Sequence, residues 1–207
     1  LWFLDKAKAQ NPTRADQTLM LDLREVYRKV SSNLHDFTPE HLQNIHAIVA
    51  LYRGDTTHFE KAVAEYRKKA DQALKEAREI ISSMMKMDAP FEGFKLEVSD
   101  HPKLEIKQLK KVKGEVNALL RHVNESTKEH LKNDKVKADK ELVKSLKDYK
   151  SDFTDSVKVF TDQADLAIYF EKEYIWMTSR FPDAEYTDVP GLCKVVNKER
   201  RRQRSQA

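Results

Sequence analysis

From residue 59 to residue 87 the apolar positions Phe59, Val63, Tyr66, Ala70, Ala73, Ala77, Ile80, Met84 and Met87 follow at alternating intervals of four and three. That rhythm is a heptad seam, the mark of a helix that lies along other helices. At 1.5 Å per residue the helix is about 45 Å long, and the alanines in its middle admit a neighbour closely. Thr57 with Glu60 three residues later predicts a capping box at its start.

Two further stretches repeat the rhythm. Leu109, Val112, Val116, Leu119 and Val123 carry it, with Leu120 widening the stripe, until it fades near Lys128. Leu142, Leu146, Tyr149, Phe153, Val157, Phe160, Ala164 and Ile168 carry it again, ending in an aromatic run of Tyr169, Phe170, Tyr174 and Trp176. Ser151-Asp152 is a candidate break in that last helix, and Arg180 to Asp183 ends it. The loop Asp88 to Pro102 contains a candidate extended piece at Phe94 to Val98, and Asp100 and Pro102 cap the next helix. Lys132 to Asp139 reads as a turn or as a helix carried on solvated charges. Upstream, Thr38 caps a helix opened by Pro39, whose face is Leu42, Ile45, Val49 and Tyr52 and whose stop is Gly54.

The first part of the chain is different in kind. Leu1 to Leu4 and Thr18 to Leu23 read as strands, joined by a polar linker with an Asn11-Pro12 turn signal, and they are expected to pair antiparallel at the edge of a larger sheet. Two strands do not make a stable sheet alone. Glu25 to Leu34 is read as a short helix, and Tyr186 to Val196 as irregular or extended. The expected fold is therefore mainly α: a bundle of long antiparallel helices with coiled-coil-like seams, preceded by a short two-stranded β element. The expected division is 1–37 for strands and linker, 38–180 for the bundle, and 181–207 for an irregular segment with a basic tail.

Composition agrees with long solvated helices. Of 207 residues 35% are charged, with only four Gly and six Pro. The opening Leu1-Trp2-Phe3-Leu4, without Met, reads as a piece of a longer protein cut at or inside a strand. No stretch of eighteen apolar residues and no leader occurs, so no membrane partner is expected, and the single Cys193 suits a cytoplasmic, reducing setting. The net charge of +4 is local: Lys194, Lys198, Arg200, Arg201, Arg202 and Arg204 crowd the end, while the body is nearly balanced.

Familiar catalytic constellations are not in evidence. Gly54, Gly93, Gly114 and Gly191 stand singly, so no glycine-rich cofactor loop forms, and no Pro-Pro occurs of the kind an adenine-methylating loop needs. His41 and His46 lie on different helix faces, while His122 and His130 have no second ligand at metal spacing. Cys193 reads as a packed thiol. No catalytic, cofactor or metal residue is assigned. The seams themselves admit two readings, an internal bundle or a stripe left to receive a partner helix. Candidate partner-helix contacts are Tyr66, Ala70, Ala73, Ala77, Leu109, Val112, Val116, Phe153 and Phe160. The basic tail is either a disordered end or a phosphate contact, with Lys198, Arg200, Arg201 and Arg202 as candidates.

Four blocks, LWFLDKAK from Leu1, TLMLDLREVYRKV from Thr18, FTPEHLQNIHAIVALYRGD from Phe37 and SRFPDAEYTDVPGLCKV from Ser179, stand in this order. Together they resemble the C-terminal part of the modification subunit of type I restriction-modification systems, a DNA adenine methyltransferase. The likeness is close over residues 1 to about 59 and about 176 to 196, and in character only between them. It implies that the S-adenosylmethionine loop and the Asn-Pro-Pro-Phe motif belong upstream of Leu1, so no cofactor is expected in this chain. It implies that Leu1 to Leu23 are trailing strands of the methylase sheet. It also implies partners: a specificity subunit held between two modification subunits, a restriction subunit in the larger complex, and DNA through that complex. One departure stands out, because the family continues toward an Asn-Pro-Gly-Arg-Tyr stretch where this chain runs out in NKERRRQRSQA.

The sequence thus leads to an expected function as the non-catalytic assembly region of such a subunit. A free-standing coiled-coil scaffold, or a membrane-surface or nucleic-acid-binding helical module, is the alternative.

Overall fold

The computed structural model describes residues 8–24, 26–90 and 103–197. The chain is mainly helical. Its elements are β1 (Gln17–Leu21), β2 (Arg28–Lys29), β3 (His35–Asp36), α1 (Pro39–Tyr52), α2 (Thr57–Met84), α3 (Leu109–His130), α4 (Asp134–Ala138), α5 (Lys140–Arg180) and β4 (Cys193–Asn197). The chain divides into two compact units, 1–64 with 175–207, and 65–174. The division falls inside α2 and α5.

In the first unit α1 begins as its sequence predicts. The Thr38 hydroxyl accepts from the His41 N–H at 3.2 Å, and His41 Nδ1 accepts from the Thr38 N–H at 3.3 Å, a reciprocal cap with histidine in the usual glutamate place. Ile45 and Val49 are buried as expected, but Leu42 is exposed, and burial extends over Asn44 and every residue from Ala47 to Leu51. The second half of α1 is thus enclosed on most sides, which a one-faced pattern could not report. Gly54 ends it at φ 82, where a side chain would be strained.

Helix α2 starts one step differently from the expected Thr57 cap. Thr57 is already helical, and the Asp55 carboxylate accepts its N–H at 2.9 Å. An acid at the positive end of a helix serves the same purpose.

One expectation in this unit needs correction. Residues 26–36 form no helix; β2 and β3 pair antiparallel, Arg28 with Asp36 and Lys29 with His35, around the Ser31-Ser32-Asn33 turn. The Arg28 guanidinium grips the Asp36 carboxylate across the pair at 2.6 and 3.0 Å, and Tyr27 meets His35 edge to face. The strand expected at Thr18 to Leu23 exists as β1, and one edge of it pairs with β4, from Gln17 with Asn197 to Leu21 with Cys193. Its expected partner, Leu1 to Leu4, lies outside the described residues. Elsewhere in the unit Phe59 and Phe181 meet edge to face at 6.3 Å, as do Tyr52 and Tyr186 at 5.7 Å.

The second unit is built from three seams. One hydrophobic cluster joins Ala73 to Met84 of α2, Leu109 to Val123 of α3 and Leu146 to Ala167 of α5, with Leu104 packed into it. Helices α3 and α5 are antiparallel: Lys113, near the start of α3, meets Asp165, past the middle of α5, at 2.5 Å, whereas Lys128, near the end of α3, shares a groove with Lys147 and Lys150 in the first turns of α5. On α2, Tyr66 stacks on Phe170 at 6.2 Å and Arg67 reaches Glu171 at 3.3 Å. Arg78 donates to the Leu104 carbonyl, its Nε at 2.8 Å, and so ties the approach to α3 against α2.

Two details depart from the sequence reading. The buried line along α2 is Phe59, Ala62, Tyr66, Ala70, Ala73, Ala77, Ile81 and Met84, with Val63 and Ile80 at its margin. That stripe follows the 3.6-residue turn of a straight helix instead of a strict 3.5 repeat, which would have required supercoiling. Helix α5 runs unbroken for 41 residues through Ser151-Asp152, because Phe153 and Val157 hold it to the core there. The stretch after α3 holds the short α4, capped by the Asn133 side chain on the Lys135 N–H at 3.0 Å. The candidate extended piece at Phe94 to Val98 and the caps Asp100 and Pro102 lie outside the described residues.

Candidate assembly interface

The nine seam residues read as partner-helix candidates all have their surface covered within the chain. Tyr66, Ala70, Ala77, Leu109, Phe153 and Phe160 are wholly buried, and Ala73, Val112 and Val116 nearly so. Ala73 and Ala77 of α2 lie in one buried cluster with Tyr149, Phe153 and Phe160 of α5 and Leu109, Val112 and Val116 of α3, so what covers these seams is the protein's own helices. A partner helix must therefore use other residues.

Apolar surface does remain outside. Val159 and Leu166 of α5 are 49% and 43% exposed. They stand seven residues apart, two turns along one face, with Tyr169 partly exposed at the next turn of that face. Sequence reasoning passes over them because they sit beside the buried Val157–Phe160–Ala164 line and read as its fringe.

The four tail residues named as phosphate candidates, Lys198, Arg200, Arg201 and Arg202, lie outside the described residues. A second basic feature does not. Lys128 and Lys132 face Lys147 and Lys150 across a groove whose other lining includes Thr127 and Glu125. Lys147 and Lys150, three apart on α5, share one helix face, while Lys132 lies in the turn just past Lys128 and the end of α3; only the antiparallel packing of α3 on α5 puts the two pairs opposite one another.

The remaining chemistry is quiet. Among the described residues no group of three or more His, Cys, Asp or Glu is placed to hold a metal. His122 and His130 are exposed, and His41 serves as a cap. Cys193 is buried at the start of β4 and its thiol donates to the Thr187 carbonyl at 3.6 Å; burial pushes its pKa up, away from the reactive thiolate. Tyr186 donates to the Asp188 carboxylate at 3.1 Å, which also accepts the Val195 N–H at 2.8 Å, and burial raises the Tyr186 pKa too. These bonds lock the chain's return onto β1. No described helix is long and apolar enough to cross a membrane.

Compared with protein-family models, with curated proteins and with solved structures, the chain matches none.

Proposed function

We propose that this chain is the helical assembly region of a type I DNA modification subunit, non-catalytic in itself, whose parent transfers a methyl group from S-adenosylmethionine to adenine. The observation that carries the reading is where the described residues of the second, third and fourth resembling blocks fall. Residues 18–24 with 26–30, 37–55 and 179–195, the last separated from the others by more than a hundred residues, all belong to one compact unit. Within it the second block pairs with the fourth through β1 and β4, and the third meets the fourth through Tyr52 and Tyr186. Blocks that belong to one family motif set are expected to fold as one module. The helices between them, alike only in character, form the other unit, and their exposed Val159 and Leu166 offer a face for the helices of a specificity subunit.

The test is co-elution of the whole chain with a type I specificity subunit in size-exclusion chromatography. A complex is expected, weakened when Val159 and Leu166 are both changed to Glu; being exposed, these positions tolerate charge without loss of helical circular dichroism. Titration with S-adenosylmethionine is expected to release no heat. Separate elution of the two proteins, or measurable cofactor binding, overturns the reading.

A further inference from the structure

The outward side of α5 carries a second stripe. Asp148, Asp152, Asp155, Val159, Asp162 and Leu166 follow at intervals of four, three, four, three and four, and every one of them is exposed. From first to last they cover five turns, about 27 Å of helix, so the six share one face along the whole stretch. The rhythm is that of the buried seam on the other side, Leu146, Tyr149, Phe153, Val157 and Phe160, but aspartate takes most of the positions.

These carboxylates are left to repel one another. None of the ion pairs found among the described residues engages them, although Lys144 and Lys158 flank the stripe four residues before Asp148 and Asp162. Like charges four residues apart, as Asp148 and Asp152 are, lower the stability of their own helix, and aspartate is among the poorer residues for a helix interior. The exposed charges of α2 are arranged otherwise. There Glu65 meets Lys69 at 2.7 Å, Arg67 meets Asp71 at 3.3 Å and Lys75 meets Glu79 at 3.8 Å, each pair four apart. A solvated face neutralises itself in this way; the stripe on α5 keeps one sign and sets two apolar side chains in line with it.

Charge decides what fits there. The same face of a second copy does not, because in either direction aspartate would meet aspartate or an apolar side chain and be desolvated unpaired. A helix with lysine or arginine opposite the aspartates and apolar residues opposite Val159 and Leu166 satisfies both kinds of position. We propose that the outward face of α5 docks a basic amphipathic helix of the specificity subunit, its apolar contact at Val159 and Leu166 and its cations along Asp148, Asp152, Asp155 and Asp162. This docking rests on the assembly role and adds to it the chemistry of the partner.

Calorimetric titration of the whole chain with a type I specificity subunit, across a salt series, tests it. Affinity is expected to fall as salt rises. Joint Asp152→Asn and Asp155→Asn substitution is expected to weaken binding at least about tenfold without loss of helical circular dichroism, since it relieves repulsion along the helix. Joint Asp71→Asn and Glu79→Gln substitution on α2 removes the same charge and is expected to leave affinity as it was. A complex indifferent to salt and to the α5 aspartates overturns the basic partner helix while leaving assembly intact. Equal weakening by the α2 pair overturns it too, because net charge would then account for the binding. So does self-association of the chain alone that the α5 substitutions abolish. Absence of any complex overturns the assembly role and this docking with it.

Discussion

Asp22, just beyond β1, bonds twice to the Arg24 side chain, at 2.6 Å and 2.9 Å at the closest, and accepts the Arg24 N–H as well. The side-chain bond to Arg24 first, and its backbone bond next, hold the carboxyl pKa at about 2 against an ordinary 3.8. A depressed folded-state pKa contributes stability that is present above the unfolded value and is lost as pH falls through the folded one. The contribution of this pair therefore fades between about pH 4 and pH 2. Being exposed, the pair adds little to the total, so the measurement of choice is a carboxyl carbon NMR titration. Arg24→Gln is expected to return the Asp22 midpoint toward the ordinary carboxylate range; a midpoint that stays near 2 would show that the backbone bond alone suffices. At this scale the sequence is legible where chemistry is local. Thr38 and Pro39 announce the start of α1, and Gly54 its stop. The Asp22–Arg24 pair, two residues apart, escapes a reading of the sequence because a loop acid beside an arginine has many alternatives and only the fold selects one.

Helix α3 contains Gly114 in its first half, where an added Cβ would meet nothing within 4 Å. Glycine in a helix interior costs conformational entropy that alanine does not. Gly114→Ala is thus expected to stabilise the protein by about 0.5 to 1 kcal/mol, seen as a higher midpoint in urea denaturation; a lower midpoint would mean that the unfolded-state account fails at this position. Element existence and type are readable in the long helices, since α2, α3 and α5 declare themselves by apolar spacing sustained over many turns. Element identity fails at residues 25–34. A short stretch carries too few turns for periodicity to decide, and the Arg28–Asp36 grip that settles β2 on β3 joins residues the pattern treats as unrelated.

At the scale of the molecule, Ala73 separates the two meanings a seam can have. It is buried in the cluster formed by α2, α3 and α5. Ala73→Glu puts a carboxylate there without a partner, which is expected to cost about 3 kcal/mol or more and to lower the melting temperature followed by circular dichroism. Should the variant melt like the parent chain and lose only its partner, the seam would face outward and the three helices could not pack through it. The heptad-like spacing determined by itself that the chain is mainly helical, roughly where the long helices lie, and most but not all of the residues buried along them, because helix periodicity is written within a few residues. Tertiary structure alone decided that β1 pairs with β4, that α5 crosses Ser151-Asp152 unbroken, and that two lysine pairs face one another over Thr127. Each of these depends on residues far apart in the chain, and the free energy that brings them together is the burial of the core between them, which no local pattern records.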